Sequence, residues 1–375
     1  IAYHDAMRRL NTLPPSIEPR ASGHIIEQIE LVKKILDAGF AYESNGSVYF
    51  DVQAYDKKYH YGVLSGRNID EMMANTRTLD GTGDKHSPYD FALWKKASPQ
   101  HIMKWPSPWS EGFPGWHLEC SAMSEKYLGD EFDIHGGGMD LQFPHHECEL
   151  AQNTASRGKG GVRYWMHNNL LTVNGQKMGK SLGNFTTLAD LYKVFSPMTI
   201  RFFILQAHYR GTLDFSNEAL SAAEKGLRRV LQAAKDYKAL PHCGDAVNPD
   251  VVNLTEEVVE ALCDDLNTPV ALAKVFDAVR IVNQAKDGSI KLSDKDYGAL
   301  SELFGKIVPD VMGLVDEVSA SSEEKTLEGL MDMILEVRRE AKARKDFATS
   351  DNIRDRLKGL GVTIKDTKDG TEWSM

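Results

Sequence analysis

The chain has 375 residues, of which 42% are apolar and 26% charged, so its composition is that of a globular protein with about two to four domains. Forty-four lysines and arginines face 54 aspartates and glutamates, and the net charge of −10 argues against a protein that coats nucleic acid through bulk charge. No stretch approaches the roughly 18 apolar residues of a membrane helix, and four widely spaced cysteines do not make a disulfide framework. We expect a cytoplasmic protein.

The first part of the chain predicts two helices, a hairpin and an irregular insertion. Apolar residues recur at helical spacing over 1–10 and over about 22–38, and Asn45-Gly46 lies between two strand-like runs, as in a tight hairpin. Residues 53–115 are polar and rich in Trp, Pro and Gly, which predicts irregular structure. Because the chain starts at Ile1 inside a helical pattern, we expect it to be a fragment.

A strand, a glycine run and a helix follow, which is the repeating unit of a parallel α/β sheet. The apolar run 132–135 ends in three glycines, and Pro144 suits the first turn of a helix. Ligands of such sheets bind at the carboxyl ends of the strands, so a nucleotide site is predicted here, with Asp140 accepting hydrogen bonds from a ribose. A simple tight turn is the alternative explanation for the glycines.

The helix after Pro144 carries candidate metal ligands. His145 and Glu149 are four residues apart and therefore share one helix face, and Cys120 would add a thiolate from an earlier segment. A sulfur, an imidazole and a carboxylate form a partial zinc shell. Cys148 is a softer ligand than Glu149, and spacing does not choose between them; a solvated helix face also explains the pair. His146 and Glu147 are predicted to lie on the helix surface.

Two lysines form a candidate phosphate site. Lys177 and Lys180 lie in a glycine-containing loop after the hairpin-like run 170–175. Their charges would neutralise phosphate charge as pyrophosphate leaves. A solvated hairpin tip explains either lysine alone.

The last part of the chain reads as helical. Patterns over about 216–238, 255–264 and 269–286 predict a helical bundle, and the Ser- and Glu-rich stretch 318–324 predicts a linker. A basic helix over about 327–345 and a small terminal unit complete the chain.

Four segments taken together resemble the cysteinyl-tRNA synthetases, which are class I aminoacyl-tRNA synthetases. They are Gly115–Met123, Asp133–Leu141, Phe143–Glu149 and Lys177–Asn184, and their order and spacing also match. The similarity extends over the whole chain, from Glu18-Pro19-Arg20-Ala21 to the terminal Gly370-Thr371-Glu372-Trp373. The resemblance implies an α/β fold: an incomplete class I Rossmann-type parallel sheet with a connective insertion, then an α-helical bundle and a small C-terminal domain.

The domain boundaries implied are a remnant of the first half of the catalytic domain at 1–21, the connective insertion at 22–114, the second half of the catalytic domain at 115–184, a stem-contact region at 185–215, the bundle at 216–317 and an anticodon-binding region at 318–375.

The activity implied is ATP-dependent activation of L-cysteine to cysteinyl-adenylate and its transfer to tRNA(Cys), with magnesium accompanying ATP and zinc selecting the thiolate. Such an enzyme is expected to be a monomer.

The resemblance places zinc on Cys120, His145 and Glu149, which decides against Cys148. It also implies that Trp116 and His135 line the cysteine pocket and that Lys177 and Lys180 are catalytic. The implied ATP contacts are His135, Gly137, Gly138, Asp140, Leu171 and Lys180. Candidate tRNA contacts are Arg338, Arg339, Arg344, Lys345 and the stacking aromatic Trp373.

The sequence also departs from the family pattern. Gly179 replaces the first Ser of the K-M-S-K-S loop, while both lysines remain. The family's N-terminal Cys ligand and its H-x-G-H motif have no counterpart in these residues, so we expect impaired catalysis and weakened zinc retention from this chain by itself. Two alternatives are a ligase that joins activated cysteine to an amino-sugar, and a noncatalytic zinc- or tRNA-binding paralogue.

Overall fold

The computed structural model describes residues 2–68, 82–179, 182–244, 248–367 and 370–374. The helices are α1 Ala2–Arg9, α2 Ile25–Asp37, α3 Val52–Tyr59, α4 Trp116–Leu128, α5 Met139–Leu141, α6 Glu147–Arg157, α7 Leu188–Leu191, α8 Pro197–Leu205, α9 Asn217–Asp236, α10 Pro249–Val252, α11 Leu254–Cys263, α12 Thr268–Lys286, α13 Asp294–Glu302, α14 Glu317–Ala343 and α15 Phe347–Gly359. The strands are β1 Ala41–Ser44, β2 Ser47–Phe50, β3 Phe91–Lys96, β4 Gly112–Pro114, β5 Phe132–Gly138, β6 Val162–Asn168, β7 Leu171–Val173, β8 Gln176–Lys177, β9 Leu213–Phe215, β10 Thr363–Thr367 and β11 Gly370–Ser374. Among the described residues, none of the helices has both the length and the apolar character needed to cross a membrane.

The first sheet has four antiparallel strands in the order β1-β2-β3-β4. The β1–β2 hairpin is confirmed: Asn45 and Gly46 have φ of 51° and 78°, the left-handed values that a two-residue hairpin turn requires. The prediction that 53–115 is irregular is wrong, since α3, β3 and β4 lie there. Leu93 and Trp94 are adjacent in β3 and both fully buried, so this strand lacks the alternation by which a half-buried strand is recognised.

The second sheet is the predicted parallel unit. Strands β5 and β6 pair in parallel, from Phe132 beside Val162 to Gly138 beside Asn168, and α6 lies between them in the chain. The three glycines were predicted to follow the strand as a loop. That prediction is wrong, because they belong to β5 itself. Pro144 lies in a kinked turn, Gln142–His146, in which Phe143 has an extended backbone (φ −139°, ψ 131°), and the regular α-helix begins only at Glu147. The carboxyl end of β5 therefore leads directly into the segment with the candidate ligands.

One hydrophobic core joins the first sheet to the helices that follow it. It contains buried residues of α2, the first sheet, α4 and α6, among them Ile35, Trp94, Leu118 and Ala151. Helix α6 packs on both α2 and α4. The helices that carry the candidate ligands Cys120 and Glu149 are thus held by packing on one another and on α2.

A second, larger core forms the predicted helical bundle. Helices α9, α11 and α12 lie close to the predicted ranges and bury residues such as Leu227, Val258 and Val275. Met7 on α1 and Leu10 just after it pack on this same core, so α1 and its C-terminal end contact the bundle.

The terminal unit consists of α14, α15 and the antiparallel pair β10–β11. Its small core includes Met331, Leu357 and Val362. The predicted linker at 318–324 is wrong, since these residues lie inside α14, which is continuous from Glu317 to Ala343. The stretch contains no Pro or Gly, and Glu is a good helix former, so a polar composition does not interrupt the helix here.

Candidate metal centre and nucleotide site

Helix α4, the turn before α6 and α6 itself bring together the three side chains that spacing and resemblance single out. One ligand atom each of Cys120, His145 and Glu149 lies within 4.8 Å of the other two. Nε2 of His145 is 3.0 Å from Oε1 of Glu149, as expected for residues four apart at the start of a helix. His145 is 4% exposed and Glu149 2% exposed. A sulfur, a nitrogen and an oxygen therefore converge in a buried place.

The chemistry of these atoms fits a zinc ion. Oε1 of Glu149 is buried and has no hydrogen bond of regular geometry in the described part of the chain, although His145 is near. Tetrahedral zinc, with bonds of about 2 Å, separates its nitrogen and oxygen ligands by roughly 3.3 Å. A sulfur, nitrogen and oxygen set suits zinc and excludes magnesium or calcium, which prefer oxygen alone.

Burial sets the protonation of these groups. It raises the pKa of the Cys120 thiol to about 12, so the thiol is protonated at neutral pH until a cation competes for the sulfur. Although burial raises the pKa of Glu149, the His135 and His145 side chains bring it below its ordinary value. Glu149 is therefore an anion, ready to bind a cation.

Cys148 lies away from this cluster. Its Sγ is 3.4 Å from the hydroxyl of Tyr61, and the side chain is buried. The sequence pattern left Cys148 and Glu149 as rival ligands, and the structure brings only Glu149 to Cys120 and His145.

Further histidines surround the candidate ligands. Nδ1 of His117 lies 2.8 Å from Nδ1 of His145, and Nδ1 of His146 lies 2.8 Å from Nε2 of His167. His135, His146 and Glu149 form a second group of potential ligand atoms. Burial lowers the pKa of His117 and of His146 to about 4, so both rings are neutral at pH 7. Partners of this kind fix the tautomer and orientation of a metal-ligating histidine.

The prediction that His146 and Glu147 lie on the helix surface is wrong. Both are buried, because the start of α6 is enclosed on several sides and the rule of one apolar face does not apply to it. Glu147 accepts backbone N–H groups of Gly62, Leu64 and Ser65 at 3.2, 3.4 and 2.8 Å. Its carboxylate thereby fastens the loop after α3 to the ligand-bearing helix.

The candidate cysteine pocket lies next to the cluster. The ring of Trp116 is 4.4 Å from that of His145, and this tryptophan is 59% exposed. Nε2 of His135 lies 3.4 Å from Oε2 of Glu149. An exposed aromatic face beside buried polar groups can accept a small molecule that has both apolar and polar parts.

The candidate nucleotide residues lie at the carboxyl end of β5. A Cβ on Gly137 would come within 2.7 Å of the His146 ring, and one on Gly138 within 2.3 Å of Oδ1 of Asp140. Neighbouring side chains therefore occupy the space that a Cβ at either glycine would need, and Asp140 is itself exposed. Leu171 is exposed on β7.

Only part of the lysine loop can be placed, since Lys180 lies outside the described residues. Lys177 is exposed on β8. The side chain of Asn184 donates to the carbonyl oxygen of Lys177 at 3.0 Å and accepts the N–H of Gly179 at 2.9 Å. Asn184, to which sequence reasoning gave no role, thus closes the loop.

The candidate tRNA residues divide into two groups. Arg339, Arg344 and Lys345 are exposed, and Arg339 pairs with Glu336 at 3.1 Å. Arg338 is only 2% exposed and Trp373 packs on the small core of the terminal unit. Arg338 therefore belongs to the packing of this unit, and Trp373 is half-buried.

Comparisons with known proteins define the class. The family described as "tRNA synthetases class I (C) catalytic domain" matches residues 1–225, and a DALR domain matches 257–316. Methionyl-tRNA synthetase of Mycobacterium tuberculosis, solved with methionyl-adenylate, has the same fold: its TM-score is 0.55 at 14% identity, covering 80% of this chain and 72% of that one. The fold is that of the class I aminoacyl-tRNA synthetases, as predicted.

The particular family follows from closer relatives. Residues 327–373 match the "Cysteinyl-tRNA ligase anticodon binding domain". The chain is 59% identical to the cysteine–tRNA ligase of Parabacteroides distasonis over 100% of its own length and 78% of the relative's. It is also 59% identical to the cysteine–tRNA ligase of Porphyromonas gingivalis, with the same coverage. The chain belongs to the cysteine–tRNA ligases. The predicted family and enzyme class are therefore confirmed, and the two alternatives, an amino-sugar ligase and a noncatalytic paralogue, are not favoured.

Proposed function

We propose that this ligase recognises L-cysteine with a zinc ion on Cys120, His145 and Glu149, activates it with magnesium-bound ATP and transfers it to tRNA(Cys). The observation that carries the proposal is the cluster of a half-buried sulfur with a buried nitrogen and a buried oxygen. Within the described ranges, Oε1 of Glu149 has no hydrogen bond of regular geometry. With the family's N-terminal Cys, which lies outside these residues, the three would make a four-ligand site, and zinc can expand to five ligands to take the thiolate of the substrate.

Zinc gives selectivity that shape alone does not supply. A thiolate binds zinc far better than a hydroxyl does, whereas serine and cysteine differ little in size. The protein holds the ligands ready for this: His117 fixes the His145 ring, and His135 lies against Glu149. Trp116 covers the adjacent surface and would keep water from the cysteine side chain.

Activation requires positioning and charge rather than a protein nucleophile. The cysteine carboxylate attacks the α-phosphate of ATP, the bond to the β-phosphate breaks, and pyrophosphate leaves. His135, Gly137, Gly138, Asp140 and Leu171 would hold the nucleotide at the end of β5, and Lys177 and Lys180 would stabilise the phosphate charge. The closed geometry that Asn184 gives the loop supports this role of Lys177.

The second step takes the aminoacyl group to a ribose hydroxyl of the terminal tRNA adenosine. We assign anticodon contact to the terminal unit, where Arg339, Arg344 and Lys345 offer exposed cations for phosphates. We further propose that the chain divides into the six regions given in the sequence analysis. The protein is proposed to be a monomer and to act in the cytoplasm.

Pyrophosphate exchange tests the proposal directly. The full-length protein should exchange labelled pyrophosphate into ATP when cysteine is added and stay at background with serine, because only the thiolate engages the metal. Equal exchange with both amino acids would overturn the selectivity argument, and no exchange with either would overturn the function.

A further inference from the structure

The segment that leads from the helical bundle into α14 is fastened at one junction. Arg201 on α8 donates from Nε to the carbonyl of Met312 at 2.7 Å. Its Nη1 donates to the carbonyls of Leu10 at 2.8 Å and Asn11 at 3.0 Å. Asn11 in turn donates from its side chain to the carbonyl of Gly313 at 3.0 Å. One guanidinium therefore connects the end of α1, helix α8 and the chain that precedes α14.

The fit at this junction is close. Gly313 has a φ of +67°, and a Cβ there would lie 2.4 Å from the Arg201 guanidinium. The residues on either side, Met312 and Leu314, are buried in the bundle core. The backbone can approach Arg201 this closely only because position 313 is a glycine, so the path of the chain is defined on both sides of the contact.

A second contact lies at the first residue of α14. Oε1 of Glu317 accepts the N–H of Met198, in the first turn of α8, at 3.2 Å. The preceding residue, Asp316, pairs with Lys235 on α9. Helix α14 therefore leaves the bundle in a direction fixed by contacts at its base, and from there it carries the terminal unit, packing on α15.

The length of α14 amplifies any change at its base. With 27 residues it spans about 40 Å, so a tilt of about 10° at the junction moves its far end by about 7 Å. Misplacement of about 1 Å already lowers rates by up to about 100-fold where two groups must meet in a fixed geometry. A tRNA held at one end by the terminal unit and at the other by the catalytic half imposes such a geometry.

We propose that Arg201 and Glu317 are positioning residues for the tRNA-dependent step: they set the direction of α14 and thereby the distance between the anticodon-binding unit and the catalytic half. The inference rests on the proposed function, since it concerns transfer to tRNA. Neither residue belongs to the candidate metal or nucleotide site. Activation of cysteine involves no tRNA and does not depend on the direction of α14.

The test compares two RNA substrates in the full-length protein. For Arg201→Met, kcat/KM with full-length tRNA(Cys) should fall by about 10- to 100-fold. Two other activities should stay within about twofold of wild type: charging of an acceptor-arm minihelix, which lacks the anticodon, and cysteine-dependent pyrophosphate exchange. Glu317→Ala removes one contact and leaves the hydrogen bonds from Arg201 to the carbonyl groups intact. It should lower charging of the full-length tRNA in the same selective way. If Arg201→Met does not fold, Glu317→Ala decides the test.

A matched control is Arg280→Met, which removes an exposed arginine of α12 whose guanidinium lies 3.4 Å from Asp277, one turn earlier in the same helix. It should leave all three activities unchanged. Equal losses with tRNA and minihelix, or no loss with either, would overturn the junction proposal while wild-type exchange with cysteine still upholds the proposed function. Absence of exchange in the wild type would overturn both.

Discussion

The candidate metal centre and the terminal unit differ in how their charged side chains are held. At the metal centre, His145, Glu147 and Glu149 are all buried and each contacts further polar groups. In the terminal unit, Arg344 and Lys345 are exposed at the end of α14. The first region has its polar geometry in place before any substrate arrives, whereas the second offers cations on long and mobile side chains.

The difference matches the two recognition tasks. Separating cysteine from serine requires one atom to be recognised, so the ligands must be fixed within fractions of an ångström by a surrounding shell. Phosphates on a large RNA are contacted many times, and each contact contributes modestly and depends on salt. Substitutions in the two regions should therefore fail in different ways, by loss of folding and metal in the first and by graded loss of affinity in the second.

The largest effect on stability is expected at Glu147. In Glu147→Ala the buried N–H of Gly62 and the half-buried N–H groups of Leu64 and Ser65 lose their acceptor. An unsatisfied buried donor costs about 1–3 kcal/mol. We expect the free energy of unfolding to fall by about 3 kcal/mol or more, measured by urea denaturation.

The matched control for this prediction is Glu30→Ala on α2, whose exposed carboxylate pairs with Lys33 at 2.7 Å. Its cost should stay below about 1 kcal/mol, as for other surface ion pairs. Similar costs for the two glutamates would show that the loop after α3 does not depend on Glu147.

A smaller effect separates two arginines of the terminal unit, Arg338 on α14 and Arg344 just after it. Arg338→Ala removes a buried side chain and should lower the stability of the terminal unit by about 1–3 kcal/mol. Arg344→Ala removes an exposed cation, so stability should change by about 0.5 kcal/mol or less, while affinity for tRNA falls a few-fold and its salt dependence decreases by about one ion. Thermal unfolding and filter binding at several salt concentrations measure the two effects. The reverse result, a stable Arg338 variant with weakened salt dependence, would return Arg338 to the RNA contacts.

Much of this architecture could be predicted from the sequence. The Asn45-Gly46 hairpin, the parallel β5–β6 unit and the bundle helices each carry a local pattern, of turn residues, glycines or apolar spacing. His145 and Glu149 could be paired because helical geometry brings residues four apart onto one face. The motifs identified the family as well.

The rest depended on tertiary contacts that leave no local pattern. Strand β3 was missed because it is buried on both faces, and the buried state of His146 and Glu147 results from packing of distant segments around α6. His117 is 28 residues from its partner His145, and Arg201 is 190 residues from Asn11. Arg338 looked like a surface cation because a run of basic residues does not reveal which of them faces inward.

The metal content of two cysteine variants of the full-length protein tests the proposed metal centre most directly. Cys120→Ser should lose zinc: its affinity for zinc should fall by more than the 10- to 100-fold that is typical when a residue contacting a metal ligand, rather than the ligand itself, is changed. Cysteine-dependent pyrophosphate exchange should be lost together with the zinc. Cys148→Ser changes a sulfur that is more deeply buried than that of Cys120 and that contacts Tyr61 instead of the cluster, and it should keep both zinc and exchange. Zinc retained in Cys120→Ser, or lost equally in both variants, would contradict the assignment of Cys120, His145 and Glu149 as the metal centre.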